Sequence, residues 1–332
     1  MTSSSPFELP EYQDVVAAGH RLRGHAVETP LLEDPLLNDQ LGGRLLIKAE
    51  PLQRTGSFKF RGAYNCLCRL DADSRDWGVV AYSSGNHAQG VAYAARLLGI
   101  HATIVMPADA PALKIEATQA YGAEVVLYDR INESREAIAQ GIADEKGATL
   151  IRPFDDPRII AGQGTVGLEI ASQTDDLGLA PDRVAVPCSG GGLIAGCALA
   201  LSELYPECSL FAVEPKGHDD TLHSLATGQI TANEPGVRSF CDALLVDKPG
   251  DLTFGINRCL LAGGLAVSDQ ETAEAMVTAF NRFKLVVEPG GAVALAAVLS
   301  GKLEVAGTTT VVVCSGGNVD PEVFQKVLDE NA

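Results

Sequence analysis

The chain has 332 residues, 46% hydrophobic and 20% charged, the balance of a globular protein with one large core or two smaller ones. A formal net charge of −18 argues against nucleic-acid or anionic-membrane partners, because both would repel it. The opening MTSSSPFELPEYQD carries no secretory pattern, no stretch reaches the roughly 18 uncharged apolar residues of a membrane span, and eight cysteines are scattered, so a reducing cytoplasm is expected.

Along the chain, the first residue with chemical promise is Lys59, in Gly56-Ser57-Phe58-Lys59-Phe60-Arg61-Gly62, early in a helix predicted from about Gly56. Such a lysine is either a solvated surface charge or, in an apolar setting, an amine of lowered pKa suited to Schiff-base chemistry. Cys66 and Cys68 form a lone C-x-C, read as buried thiols rather than zinc ligands. Strands are predicted over Val79–Tyr82, Ala102–Met106, Glu124–Tyr128, Arg183–Pro187, Ser209–Glu214 and Thr309–Cys314, each a short apolar run. Helices are predicted between them, over His87–Leu98, Pro111–Tyr121, Asn132–Lys146, Leu193–Tyr205 and Asp269–Phe283. The alternation implies parallel sheet covered by helices, an α/β fold.

Three glycine-rich segments fall at strand ends, where α/β sheets bind ligands: SSGNHAQG from Ser83, SGGGLIAG from Ser189 and SGGN from Ser315. The second opens a helix, so its backbone N–H groups and the helix dipole suit a phosphate. It also satisfies a dinucleotide fingerprint at Gly190-x-Gly192-x-x-Ala195, with Glu214 about 20 residues on as a ribose-binding acid, so nicotinamide binding stays open on this motif alone.

GSFKFRGAYN resembles the cofactor-lysine motif of the fold-type II pyridoxal-phosphate enzymes, the group of threonine dehydratases and serine racemases. SSGNHAQGVAYAARLLGI, RPFDDPRIIAGQGTVGLEI, SGGGLIAG and VVVCSGGNVD are similar to that family's other motifs, in the same order, from about Tyr12 to Asp320. The resemblance implies a tryptophan synthase β-like fold of two open, twisted parallel-sheet domains with the active site in the cleft. The large cofactor-binding domain would comprise residues 1–76 and 152–332, the small substrate-binding domain residues 77–151. A homodimer is the family's common state.

The same resemblance assigns roles. Lys59 would hold pyridoxal 5'-phosphate as a Schiff base and later act as base at the substrate α-carbon. Phe58 would pack on one pyridine face, with Gly236 approaching the other. Asn86 would donate to the ring oxygen, and Ser315 would bond the pyridine nitrogen. Gly190, Gly191, Gly192 and Leu193 would offer N–H groups to the phosphate. Ser83, Ser84, Asn86 and His87 would bind the substrate carboxylate, and Ser84, facing Lys59, is a second catalytic candidate that keeps racemisation open. Arg135 would reach the substrate's distal end, as it would for a second carboxylate in 3-hydroxyaspartate. Glu214, Asp220 and the His218 carbonyl match the family's divalent-metal loop, an all-oxygen set suited to Mg2+ or Ca2+.

The implied activity is dehydration and deamination of a β-hydroxy amino acid, L-threonine, L-serine or threo-3-hydroxyaspartate, to a 2-oxo acid and ammonia. The alternatives are a serine racemase with side dehydratase activity, an NAD-dependent oxidoreductase and a non-catalytic cofactor-binding protein. Three departures from the family pattern stand out: Arg152 in place of a histidine before Pro-Phe, Glu234-Pro235 before Gly236, and Pro187-Cys188 before the phosphate loop.

Overall fold

A computed structural model of the chain describes residues 8–83, 85–110 and 112–331. Its strands in chain order are β1 Leu31–Glu33, β2 Arg44–Ala49, β3 Val79–Tyr82, β4 Ala102–Pro107, β5 Glu124–Tyr128, β6 Thr149–Ile151, β7 Arg183–Pro187, β8 Ser209–Pro215, β9 Gly263–Val267 and β10 Thr309–Cys314. They form two sheets, a six-stranded one in the order β1-β2-β10-β7-β8-β9 and a four-stranded one in the order β5-β4-β3-β6. All pairings are parallel except that of β1 with β2, which is antiparallel and closes one edge of the larger sheet.

Both sheets are covered on both faces, which is why their strands read as continuous apolar runs. Side chains of β10 alternate: Val311 and Val313 pack with Ile170, Ile194 and Leu201 from the helices Pro157–Asp176 and Gly192–Leu204. Val312 and Cys314 pack with Met276, Val293 and Leu295 from the helices Asp269–Phe283 and Pro289–Leu299. In the smaller sheet Val79, Ala81 and Ile104 meet Phe60, Leu67 and Val91, whereas Val80 and Val105 meet Ala139 and Ala143. The first of these two cores joins residues of the segment 22–70 to residues of the small sheet.

The six predicted strands are present, and four further ones appear. β1 and β6 have three residues each, too short for a periodic signal, and β2 hides a buried charge, Lys48. That ammonium is satisfied by Glu169 Oε2 at 2.6 Å, the Thr29 carbonyl and Gln173 Oε1. The helix predicted from Asn132 starts at Arg135, because the Ser134 hydroxyl accepts from the Ala137 N–H and so caps it there.

The carboxyl ends of β3, β7 and β10 bring Ser83, Ser189 and Ser315 to one cleft. No helix among the described residues is long and apolar enough to cross a membrane.

Candidate active site

A cleft of about 220 Å³ is lined by Phe58, Lys59, Asn86, Gly190–Leu193 and Ser315, segments far apart in the sequence. Lys59 opens the helix Lys59–Leu67, and its partly buried ammonium donates to the Pro153 carbonyl at 2.8 Å, with the Phe58 ring centroid 5.2 Å away. Burial lowers its pKa to about 8, against the opposing pull of the Glu288 charge. A lysine so placed supplies free amine near neutral pH, which is what a nucleophilic or basic lysine needs.

The glycine loop forms the opposite end. A β-carbon on Gly190 would stand 2.5 Å from the Phe154 ring, and Gly191 has a φ of +89°, a conformation that favours glycine. Gly192 begins the helix Gly192–Leu204, whose first N–H groups have no partner within the helix. Among the described residues no protein acceptor engages the N–H groups of Gly190 to Leu193, and the buried Ser189 hydroxyl beside them is also unpartnered. The donor set therefore fits an anion such as a phosphate.

The facing wall starts at Ser83, whose hydroxyl accepts from the Gly85 N–H at 3.2 Å, and continues into the helix Asn86–Leu98. His87 is buried with Nε2 3.1 Å from the Ile151 carbonyl. A carbonyl only accepts, so Nε2 carries the hydrogen and Nδ1, which has no partner, is an acceptor. Burial and the nearby Lys59 charge push this imidazole down to about 3, so it is neutral. Ser84 lies outside the described residues.

Asn86 stands between two groups of the other wall: its Nδ2 donates to Glu288 Oε1 at 2.6 Å, and its Oδ1 accepts from Asn318 Nδ2 at 2.8 Å. Burial raises the Glu288 carboxyl to about 7, with Asp242 pushing the same way and Asn86 opposing. Lys114 donates to Asp242 Oδ2 at 2.8 Å across the cleft. Arg135 lines the mouth, stacked 5.6 Å over the Tyr82 ring and bonded through Nε to Glu136 at 2.7 Å.

Glu288, Lys114, Arg130 and the stretch Asp242–Val246 line this cleft without having been picked out from the sequence. Glu288 left a signal, the single charge in the apolar run from Leu285 to Leu299. Gly236 is not brought to the cleft. It is exposed in a segment that lies along the acidic loop, where His218 Nε2 is 3.2 Å from the Val237 carbonyl.

Glu214, His218 and Asp220 sit away from the cleft. Glu214 is buried, and its two oxygens accept from the Thr221 and Leu222 N–H groups at 3.1 and 2.8 Å. Asp220 accepts from Asn233 Nδ2 at 2.6 Å through Oδ1, and its buried Oδ2 has no partner. Burial pushes the Glu214 carboxyl well above the usual range, aided by the charge of Asp220, and burial lifts Asp220 to about 6. Among the described residues no three His, Cys, Asp or Glu side chains gather as a metal site.

A lysine of depressed pKa and a row of backbone donors that no protein group among the described residues engages line one cleft, an arrangement that fits a cofactor-dependent enzyme of the pyridoxal-phosphate class. The chain belongs to the family described as "Pyridoxal-phosphate dependent enzyme", which residues 22–316 match. It is 45% identical over 321 residues to the L-threo-3-hydroxyaspartate ammonia-lyase of a Pseudomonas species, covering 97% of this chain and 99% of that one. Among solved structures, the T.th. threonine deaminase is 46% identical with a TM-score of 0.88, over 94% of this chain and 99% of that one. Maize serine racemase is 36% identical with a TM-score of 0.90, over 97% of this chain and 98% of that one. The nicotinamide alternative falls with this family assignment, and Glu214, its ribose-binding acid, is not among the residues that line the cleft.

Proposed function

We propose that the chain is a pyridoxal-phosphate-dependent ammonia-lyase that eliminates water from a small β-hydroxy amino acid, L-serine, L-threonine or threo-3-hydroxyaspartate, giving a 2-oxo acid and ammonia. The observation that carries this reading is that the Lys59 amine and the N–H row of Gly190–Leu193, which no protein acceptor among the described residues engages, line one cleft. Its support in kinship is the set of ammonia-lyases and deaminases that resemble the chain over nearly its full length.

In this reading Lys59 would hold the cofactor's carbonyl carbon, Gly190, Gly191, Gly192 and Leu193 would bind its phosphate, and Phe58 would pack on its ring. Ser315 would bond the ring nitrogen, and Asn86, steadied by Glu288 and Asn318, would donate to the ring oxygen. When bound, the cofactor withdraws electrons from the substrate α-carbon. Lys59 Nζ, once free, takes the α-proton, and the Pro153 carbonyl holds the resulting ammonium in place. Ser83, Ser84 and the first N–H groups of the helix Asn86–Leu98 bind the substrate carboxylate, His87 contributing its backbone since its ring is neutral. Arg135 sits at the distal end. The cleft lies between a large domain of residues 1–76 and 152–332 and a small one of residues 77–151. The kinship with serine racemases keeps one second reading, racemisation alongside elimination.

The test is an assay of purified protein with both enantiomers of the three amino acids, reading 2-oxo acid and the opposite enantiomer. The proposal expects 2-oxo acid as the main product of at least one L-substrate. Inversion without 2-oxo acid favours the racemase, and neither product sinks both readings.

We also propose a divalent cation, Mg2+ or Ca2+, at Glu214, Asp220 and the His218 carbonyl. Two buried carboxylates whose pKa values are raised by burial, Glu214 also by the Asp220 charge and Asp220 also by Asp219 and Asp247, one of them with an unpartnered oxygen, are relieved by a cation. The folded pKa of Asp220 is raised from 3.8 to about 6, so its contribution to metal-free stability is complete below pH 3.8 and lost as pH rises through 6. Magnesium should therefore raise the melting temperature at pH 7.5, and Asp220→Asn should abolish that response; a shift that survives the substitution removes the site. A homodimer in the cytoplasm completes the proposal.

A further inference from the structure

We propose that Thr253 is a positioning residue for the glycine loop: by holding the Gly190 carbonyl from behind, its hydroxyl turns the Gly191 N–H into the cleft. This rests on the reading that the loop receives the cofactor phosphate. Thr253 is fully buried in the helix Asp251–Leu260, and its Oγ1 donates to the Gly190 carbonyl at 2.7 Å. The Gly250 N–H approaches the same carbonyl at 3.4 Å. In a trans peptide the C=O and the following N–H point in opposite directions. Anchoring the Gly190 oxygen against this helix therefore fixes the Gly191 N–H on the other side, towards the cleft that both glycines line.

The helix is itself held to the site. Asp155 Oδ1 accepts from the Leu252 and Thr253 N–H groups at 2.9 and 3.2 Å, two residues after the Pro153 carbonyl that binds Lys59. The approach is close: a β-carbon on Gly191 would stand 2.8 Å from Asn257 Nδ2 and 3.0 Å from Thr253 Oγ1. Without the hydroxyl, the Gly190–Gly191 peptide loses its main anchor and is free to rotate, a motion that φ-permissive glycines allow. A donor that must be oriented at the moment of binding contributes less than one already in place.

The experiment uses apo protein titrated with pyridoxal phosphate and, separately, with pyridoxal, which lacks the phosphate, following absorbance of the bound cofactor. Thr253→Val keeps the shape and removes the hydroxyl, and Thr253→Ser keeps the hydroxyl. Valine should weaken pyridoxal phosphate about tenfold, the loss of one hydrogen bond, and leave pyridoxal unchanged, while serine stays within about threefold of wild type. Should valine fail to fold, Thr253→Ala replaces it with the same expectation. Equal weakening of both ligands, or wild-type binding of pyridoxal phosphate, overturns the inference. A wild-type protein that does not discriminate between the ligands sinks the phosphate reading instead.

Discussion

The wall built on the six-stranded sheet offers the cleft a row of backbone N–H groups at Gly190–Leu193, whereas the wall built on the four-stranded sheet sends long charged side chains into it. On the first, the N–H groups of Gly190–Leu193 are set by glycine conformation, by Phe154 packed against the loop and by Thr253 behind it. On the second, Arg135 and Lys114 reach the cleft on long side chains already paired with Glu136 and Asp242. Backbone donors are insensitive to sequence change and suit a cofactor that never varies. Side chains can be exchanged one at a time, which suits a variable substrate.

The largest effect that sharpens this contrast is expected at Lys59. Lys59→Ala should lower turnover by at least on the order of a thousandfold, because Lys59 is the amine beside the Phe58 ring, while Lys114, which also lines the cleft, is paired with Asp242. Next comes the backbone wall: Gly191→Ala forces a β-carbon against Asn257 and Thr253 at a φ of +89° and should cost about 1–3 kcal/mol of stability, read by denaturant unfolding. A cost near zero would mean that the loop is not held as described. On the side-chain wall, Arg135→Ala should leave stability within about 0.5 kcal/mol, as for a half-exposed residue, yet lower the preference for 3-hydroxyaspartate over serine about tenfold. An unchanged preference removes Arg135 from the second carboxylate. The smallest effect is in pH: the free-amine fraction of Lys59 should make cofactor capture by apo protein about threefold faster at pH 8.5 than at pH 7.5, levelling above that. A flat profile would place its pKa elsewhere.

The contrast also explains what was legible in the sequence. Gly190–Leu193 and Ser315 were readable because glycines after an apolar strand mark the composition, whereas Lys59, a lysine between phenylalanines, is settled only through the resemblance of GSFKFRGAYN to a family motif. Glu288, Lys114 and Asp242 were not, because they belong to the site only through contacts spanning more than a hundred residues, such as Asn86 with Glu288 and Lys114 with Asp242. The edge strand β1 escaped for a different reason: three half-covered residues carry no period. At Gly236 motif and placement part: the changed residues Glu234 and Pro235 precede an exposed segment whose Val237 carbonyl lies by His218, and Gly236 is not among the residues that line the cleft.

The central claim is that Lys59 and no other lysine receives the cofactor. Incubating the protein with pyridoxal phosphate, reducing with borohydride and mapping the modified peptide by mass spectrometry tests it directly. The account predicts stoichiometric pyridoxyl label on the peptide containing Lys59. Label on a different lysine, or none after full incubation, would contradict it.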